Sequence, residues 1–116
     1  MKVSVIIPNY NYSKYVCEAV ESALGQTYQN KEVIVVDDGS TDSSVELLAK
    51  YGDKIRLIAQ KNAGVCAARN NGVAASTGEL IAFLDADDVW MPEKLEKQVA
   101  QFLADPNVVL SHVGME

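Results

Sequence analysis

The chain has 116 residues, of which 48% are hydrophobic and 22% are charged, and its formal net charge is −6. This length fits one domain or part of one, and the composition excludes intrinsic disorder and a disulfide-dense mini-fold. An acidic chain without a basic patch is a poor nucleic-acid binder, because neutralisation of phosphates supplies most of that affinity. No apolar run approaches the roughly 20 residues that a membrane helix needs.

The two cysteines, Cys17 and Cys66, are isolated and lack the spacing of a metal site. We interpret both as small apolar residues of the core, in a protein of the reducing cytoplasm. Met1 leads directly into a strand-like segment, without the apolar stretch of a signal peptide. A position at the inner face of the membrane stays open for a longer form of the protein.

Short apolar runs alternate with helix-like windows along the chain. In chain order the pattern predicts a strand at 3–7, a helix at 15–24, a strand at 32–36, a helix at 43–51, a strand at 55–59, a helix at 63–76, a strand at 80–84, a helix at 92–103 and a strand at 108–110. Ser43 and Glu46 have the spacing of a capping box, and the alanines of the third helix allow close approach to a sheet. Strands of nearly continuous apolar character alternating with helices predict an α/β fold, with a mostly parallel sheet covered on both faces.

Polar and acidic residues gather where the predicted strands end, at the edge where open parallel sheets bind ligands. They are Pro8, Asn9, Tyr10 and Asn11 after the first strand, Asp37, Asp38, Gly39 and Ser40 after the second, Gln60, Lys61, Asn62 and Gly64 after the third, and Asp85, Asp87 and Asp88 after the fourth.

Three carboxylates within four residues, Asp85, Asp87 and Asp88, repel one another, and a divalent cation relieves that repulsion. Mg²⁺ and Mn²⁺ prefer oxygen ligands, so a metal site is our interpretation, and a turn ahead of the next helix is the alternative. Asp37 and Asp38 fit either ligand binding or capping of the following helix. The sequence has no glycine-rich phosphate loop, and a metal held by Asp87 is the predicted substitute for binding a diphosphate.

Two tyrosines and an arginine near this edge have two interpretations each. Tyr10 and Tyr12 fit stacking on a nucleobase or simple packing, and Arg69 fits a binding role or a solvated ion pair. His112 is the only histidine, and no Ser-His-Asp or Cys-His set can be assembled around it at the acidic edge. We therefore interpret it as a surface or strand residue.

Four segments occur in an informative combination: VSVIIPNYN at 3–11, VVDDGSTD at 35–42, NAGVCAARNNG at 62–72 and FLDADD at 83–88. Together and in this order they resemble the family-2 inverting glycosyltransferases of the GT-A fold. The resemblance implies a nucleotide-diphospho-sugar donor, a UDP-sugar above others, and a Mn²⁺ or Mg²⁺ ion. It also implies transfer with inversion to a hydroxyl of a saccharide or lipid-linked saccharide, as in polysaccharide biosynthesis.

The same resemblance implies roles for individual residues. Pro8 and Tyr10 would border the nucleobase, with the tyrosine ring stacked on it. Asp38 would accept a hydrogen bond from the ring N–H of the base, which favours uracil. Arg69 would reach the carbonyl side of the base, and Asp85 would contact the ribose.

By the same resemblance Asp87 would ligate the metal, and Asp88 would assist through the waters of the metal. An inverting transfer needs a general base, and residues 89–116 match no base motif of the family, so the base is expected downstream of Glu116. We therefore expect residues 1–116 to be the nucleotide-sugar-binding part of a larger enzyme whose acceptor subdomain is missing, inactive alone and able to associate through the uncovered end.

Three alternatives compete with this interpretation. The first is a nucleotide-sugar-binding module, or an inactive fragment, without catalysis. The others are a phosphotransfer receiver domain and a phosphatase with an Asp-x-Asp nucleophile. Both of these place their acidic residues after the first strand, where this chain has Pro8, Asn9 and Tyr10.

Overall fold

The computed structural model describes residues 1–104 and shows an α/β fold built on four parallel strands. The elements in chain order are β1 (Val3–Asn9), α1 (Val16–Leu24), β2 (Lys31–Asp37), α2 (Ser44–Ala49), a 3-10 turn (Gly52–Lys54), β3 (Arg56–Ala59), α3 (Val65–Ala75), β4 (Leu80–Phe83) and α4 (Lys94–Ala104). The first four predicted strands are confirmed to within about two residues at each end. The strand predicted at 108–110 and His112 lie outside the described residues.

The strand order, β3-β2-β1-β4, determines where a ligand cleft can form. The chain steps outward from β1 to β3 and then returns to the other side of β1, so the order reverses between β1 and β4. All neighbouring strands pair in parallel, and β1 is paired with β2 along its whole length. Open parallel sheets bind ligands beyond the carboxyl ends of the strands at such a reversal.

Alternate side chains of the strands pack on opposite faces of the sheet. Val5 and Ile7 are fully buried with α1 and with Leu95 of α4 on one face. Ile6 is fully buried with Ala68 of α3 on the other face. The predicted parallel sheet with helices on both faces is therefore confirmed.

Helix α3 lies very close to the sheet because it presents small residues there. A Cβ atom added at Gly72 would lie 2.5 Å from Cγ2 of Ile6 and 3.2 Å from Cγ2 of Val36. The predicted close approach is confirmed, but it occurs at Ala68 and Gly72, whereas Ala74 is exposed. This contact sets the position of the helix that carries Arg69.

The capping box predicted for α2 is wrong. Ser43 forms no side-chain cap, and Oδ1 of Asp42 instead accepts a hydrogen bond from the backbone N–H of Ser44 at 2.9 Å. Oδ2 of Asp42 accepts from the backbone N–H of Ser13 at 3.0 Å. Burial acts to raise the pKa of Asp42, but the hydrogen bonds from Ser44 and Ser13 outweigh it and lower the pKa to about 2.

The prediction that both cysteines lie in the core is confirmed only in part. Cys17 is half-buried against the core as expected, but Cys66 is exposed, because it lies on the outer side of α3. In α4 the residues Leu95 and Val99 are buried, whereas Leu103 is 62% exposed. None of the helices within residues 1–104 has the length and apolarity that crossing a membrane requires.

Candidate functional site

A cleft of about 530 Å³ opens at the carboxyl edge of the sheet, where the strand order reverses. Its walls come from the loops that follow β1, β2, β3 and β4 and from the first turns of α3. The structure brings together at this cleft all the predicted site residues except Asp88, namely Pro8, Tyr10, Asp38, Arg69, Asp85 and Asp87.

The loop after β1 supplies an aromatic wall. Pro8 is buried at the end of the strand, and Tyr10 beside it is 44% exposed and lines the cleft. Tyr12 also lines the cleft, and its ring makes an edge contact with the ring of Tyr15, with centroids 6.3 Å apart. The Tyr10 ring therefore offers an accessible flat surface to a planar ligand.

Asp38 lies at the end of β2, is 4% exposed and accepts four hydrogen bonds. Its Oδ1 accepts from Nε2 of Gln60 at 2.8 Å and from the backbone N–H of Ala63 at 2.7 Å. Its Oδ2 accepts from the backbone N–H of Gly64 at 3.0 Å and from Nδ2 of Asn62 at 3.3 Å. The carboxylate thus holds the start of α3 against the end of β2.

These contacts also fix the ionisation of Asp38. Burial is the largest single influence and acts to raise its pKa. The hydrogen bonds from Gln60, Ala63 and Gly64 together outweigh burial and hold the pKa below its usual value. Asp38 is therefore a carboxylate at neutral pH, and a carboxylate accepts hydrogen bonds but donates none.

A polar network joins the loops after β1 and β2. Oδ1 of Asp37 accepts from Nδ2 of Asn9 at 2.9 Å and from Oγ of Ser40 at 2.6 Å, and Oδ2 accepts from the backbone N–H of Ser40 at 3.0 Å. Oγ of Ser40 in turn accepts from the backbone N–H of Asn11 at 2.9 Å. Asn11 has a φ of 57°, a left-handed conformation that asparagine tolerates. The network therefore fixes the residues on both sides of Tyr10.

Arg69 projects from α3 toward the end of β4. Its Nη2 lies 3.3 Å from Oδ1 of Asp85, and its guanidinium lies over the ring of Phe83, 5.7 Å from the centroid. Nε of Arg69 is buried and has no partner among the described residues. The arginine therefore lies between an aromatic ring and an acid at the cleft.

Asp85, Asp87 and Asp88 form an acidic cluster in which ligand oxygens lie within 4.8 Å of one another. Asp87 and Asp88 are exposed, and the ion pair with Arg69 balances one of the three charges. Carboxylate oxygens at this separation fit the ligand preference of Mg²⁺ and Mn²⁺. The residues present are therefore suited to a divalent cation at the mouth of the cleft.

Sequence reasoning assigned no role to several residues that the structure places at the site. Asn62 and Gly64 line the cleft and donate to Asp38, and Gln60 donates to Asp38 without lining the cleft. Their position after the third predicted strand and the segment at 62–72 drew attention to this region, but neither signal indicated the contact with Asp38, which lies at least 22 residues earlier in the chain. Asn9, which the sequence placed at this edge without a specific role, lines the cleft and donates to Asp37.

Solved structures share this fold. TarS 1-349 of S. aureus in complex with UDP-GlcNAc superposes with a TM-score of 0.77 at 35% identity, over 90% of this chain and 32% of that one. The mannosyltransferase PcManGT from Pyrobaculum calidifontis in complex with GDP-Man and Mn²⁺ gives a TM-score of 0.75 at 31% identity, over 91% of this chain and 33% of that one. The fold is therefore that of the GT-A glycosyltransferases.

The sequence profile of glycosyl transferase family 2 matches residues 4–115, and the chain belongs to this family. An uncharacterized glycosyltransferase of Nostoc sp. (strain PCC 7120) is 48% identical over 116 residues, which are 97% of this chain and 36% of that protein. The chain spans about a third of the length of the Nostoc protein and of the two structures above.

Proposed function

We propose that this chain is the donor-binding part of a glycosyltransferase that transfers a sugar from a UDP-sugar, with inversion, to a hydroxyl of a saccharide or lipid-linked saccharide. The observation that carries the proposal is the cleft itself, which combines an exposed tyrosine ring, an ionised acceptor-only carboxylate and an acidic cluster. The complexes of TarS 1-349 with UDP and with UDP-GlcNAc, at 35% identity, support the donor class.

Recognition of the base depends on Tyr10 and Asp38. The accessible ring of Tyr10 stacks on the base beside Pro8. Asp38 accepts from the ring N–H of uracil, and it repels the ring nitrogen of cytosine, which is itself an acceptor. Arg69 supplies donors for the carbonyl side of the base, and Asp85 accepts from the ribose hydroxyls.

Recognition of the diphosphate depends on the acidic cluster, because the sequence has no glycine-rich phosphate loop. Asp87 would hold a Mn²⁺ or Mg²⁺ ion, with Asp88 assisting through its waters. The chemistry that such an ion supplies is stabilisation of the negative charge on a departing nucleoside diphosphate. The Mn²⁺ in the PcManGT complex supports a divalent metal.

Deprotonation of the acceptor hydroxyl needs a general base. We place that base in a segment beyond Glu116, because the chain spans about a third of the length of the Nostoc protein and of TarS 1-349. The 116-residue chain is then expected to bind the donor without turning it over.

A GDP-sugar is the second candidate donor. Guanine also carries a ring N–H, and this group can donate a hydrogen bond to a carboxylate such as Asp38. The complex of PcManGT with GDP-Man, at 31% identity, is the observation that favours it. TarS has the higher identity and TM-score, so UDP is our first choice.

Calorimetric titration of UDP into the chain, with Mn²⁺ and again with excess EDTA, tests the proposal. We expect saturable binding that EDTA weakens strongly. Asp87→Ala should weaken binding in the Mn²⁺ buffer by about 1.5–3 kcal/mol, the range for a contact with a charged group. Asp53→Ala, which removes an exposed acid from the 3-10 turn, is the matched control and should leave the affinity unchanged.

Equal affinity for UDP with Mn²⁺ and with EDTA would refute the metal-assisted binding of the diphosphate. Failure of UDP and GDP alike to bind in the Mn²⁺ buffer would refute the proposed function as a whole. Tighter binding of GDP than of UDP would replace the first candidate donor with the second.

A further inference from the structure

The two oxygens of the Asp38 carboxylate face different surroundings. The donors to Oδ2, Asn62 and Gly64, both line the cleft. The donors to Oδ1, Gln60 and Ala63, do not line it. The donors to Oδ2 thus belong to the wall of the cleft, whereas the donors to Oδ1 lie outside it.

Gln60 is itself fixed at three points. Its Nε2 donates to Oδ1 of Asp38 at 2.8 Å, and its Oε1 accepts from Nδ2 of Asn71 on α3 at 3.0 Å. Its backbone N–H donates to the carbonyl oxygen of Asp37 at 2.9 Å. The side chain thus bridges the end of β2 and the middle of α3, and its amide cannot rotate without breaking both side-chain bonds.

The four donors use the full accepting capacity of the carboxylate, which is about four lone-pair sites. The contact from Asn62 to Oδ2 is the longest, at 3.3 Å. The same Asn62 amide also donates to the main-chain oxygen of Asp38 at 3.0 Å, so it keeps a partner if this contact is released. The hydrogen bond from Asn62 to Oδ2 is therefore the one that a donor on a ligand can replace with the smallest loss of stability.

We propose that Gln60 is a positioning residue for base selection: it holds Oδ1 of Asp38 behind the cleft, so that Oδ2 accepts the ring N–H of uracil in exchange for the Asn62 amide. This inference rests on the proposed binding of a UDP-sugar. Without Gln60, Oδ1 keeps only the backbone N–H of Ala63 as a donor, so the carboxylate is held less firmly about its terminal torsion, which is broad. The orientation that separates a ring N–H from a ring acceptor is then less sharply defined.

The test compares the dissociation constants of UDP and CDP for the chain and its variants in Mn²⁺ buffer. For Gln60→Leu we expect the preference for UDP over CDP to fall about tenfold, with little change in the affinity for CDP. Asn71→Ala keeps Gln60 but removes its anchor, so the preference should fall by a smaller factor. Gln101→Leu makes the same chemical change at an exposed position of α4 and should leave the preference intact.

Gln60→Glu provides a second variant of nearly the same shape. When the introduced carboxyl is protonated it can still donate to Oδ1 of Asp38, and when it is ionised the two carboxylates repel each other. The preference of this variant for UDP should therefore lie below the wild-type value at about pH 8, where the introduced carboxyl is ionised.

The outcomes separate the inference from the function on which it rests. If the wild-type chain binds neither nucleotide, the proposed UDP-sugar donor fails, and if it binds both equally, the proposed recognition of uracil by Asp38 fails. A wild-type chain that prefers UDP leaves two results that would make the inference wrong. Gln60→Leu could keep that preference, or it could lose affinity for UDP and CDP by the same factor. In either case Gln60 has only a structural role.

Discussion

Replacing Gly72 with valine tests how closely α3 must approach the sheet. The added Cβ atom would lie 2.5 Å from Cγ2 of Ile6, whereas carbon atoms in contact prefer about 3.5–4.0 Å. Either the helix or the buried Ile6 side chain must therefore move by about 1 Å. Overpacking of this kind costs about 1–3 kcal/mol, and the two further methyl groups of valine place the expected loss near the upper end.

Thermal unfolding followed by circular dichroism measures the loss. For a domain of this size about 2–3 kcal/mol corresponds to a fall in Tm of roughly 10–20 °C. Ala74→Val on the exposed side of α3 is the matched control, because it changes only helix propensity, by about 0.5 kcal/mol. The UDP affinity of Gly72→Val should also fall, since Arg69 lies one turn away on the same helix. Equal Tm values for the two variants would refute the close approach.

Two further predictions concern the loops around the cleft. The pKa of Asp42 is lowered to about 2, below its unfolded value near 4, so its stabilising effect is complete above about pH 4 and is lost as the pH falls through about 2. In urea melts Asp42→Asn should therefore reduce the loss of stability between pH 5 and pH 2, whereas the control Asp53→Asn should not. An unchanged pH dependence in Asp42→Asn would contradict the stabilising role of the ionised Asp42. Ser40→Ala removes the hydrogen bond to Asp37, so it should lower the free energy of unfolding by about 1 kcal/mol and weaken UDP binding a few-fold. Ser43→Ala removes no cap hydrogen bond and should change the free energy of unfolding by less than about 0.5 kcal/mol. Equal effects of the two serine variants would argue against the network.

The sequence was sufficient to predict the sheet, because its two central strands, β1 and β2, are buried on both faces. A run such as 32–36 is apolar at nearly every position, and only a parallel sheet between two helical layers accommodates such a run. The cleft residues followed from the same logic, since whatever comes after a parallel strand lies at its carboxyl edge. Asp38 and Asp87 could therefore be placed at one site without any tertiary information.

What the sequence could not predict depends on contacts between distant segments. Ser43 has the spacing of a capping residue, but Asp42 takes that role because it also bridges to the loop after β1. Helix α3 begins at Val65 and not at residue 63, because the backbone N–H groups of the two residues before it are turned toward Asp38. The role of Gln60 likewise depends on side chains on two other elements, which no local pattern encodes.

The most direct test of the account is to map the binding of Mg²⁺–UDP on the chain by ¹H–¹⁵N NMR spectroscopy. The account predicts that the perturbed amides cluster at the ends of β1, β2 and β4 and at the start of α3, around Tyr10, Asp38, Arg69 and Asp87. A second cleft, lined by Glu18, Glu21 and Trp90, provides an internal comparison on a different part of the surface. Perturbations confined to that second cleft, or none at saturating nucleotide, would contradict the claim that the carboxyl edge of this sheet binds a nucleoside diphosphate.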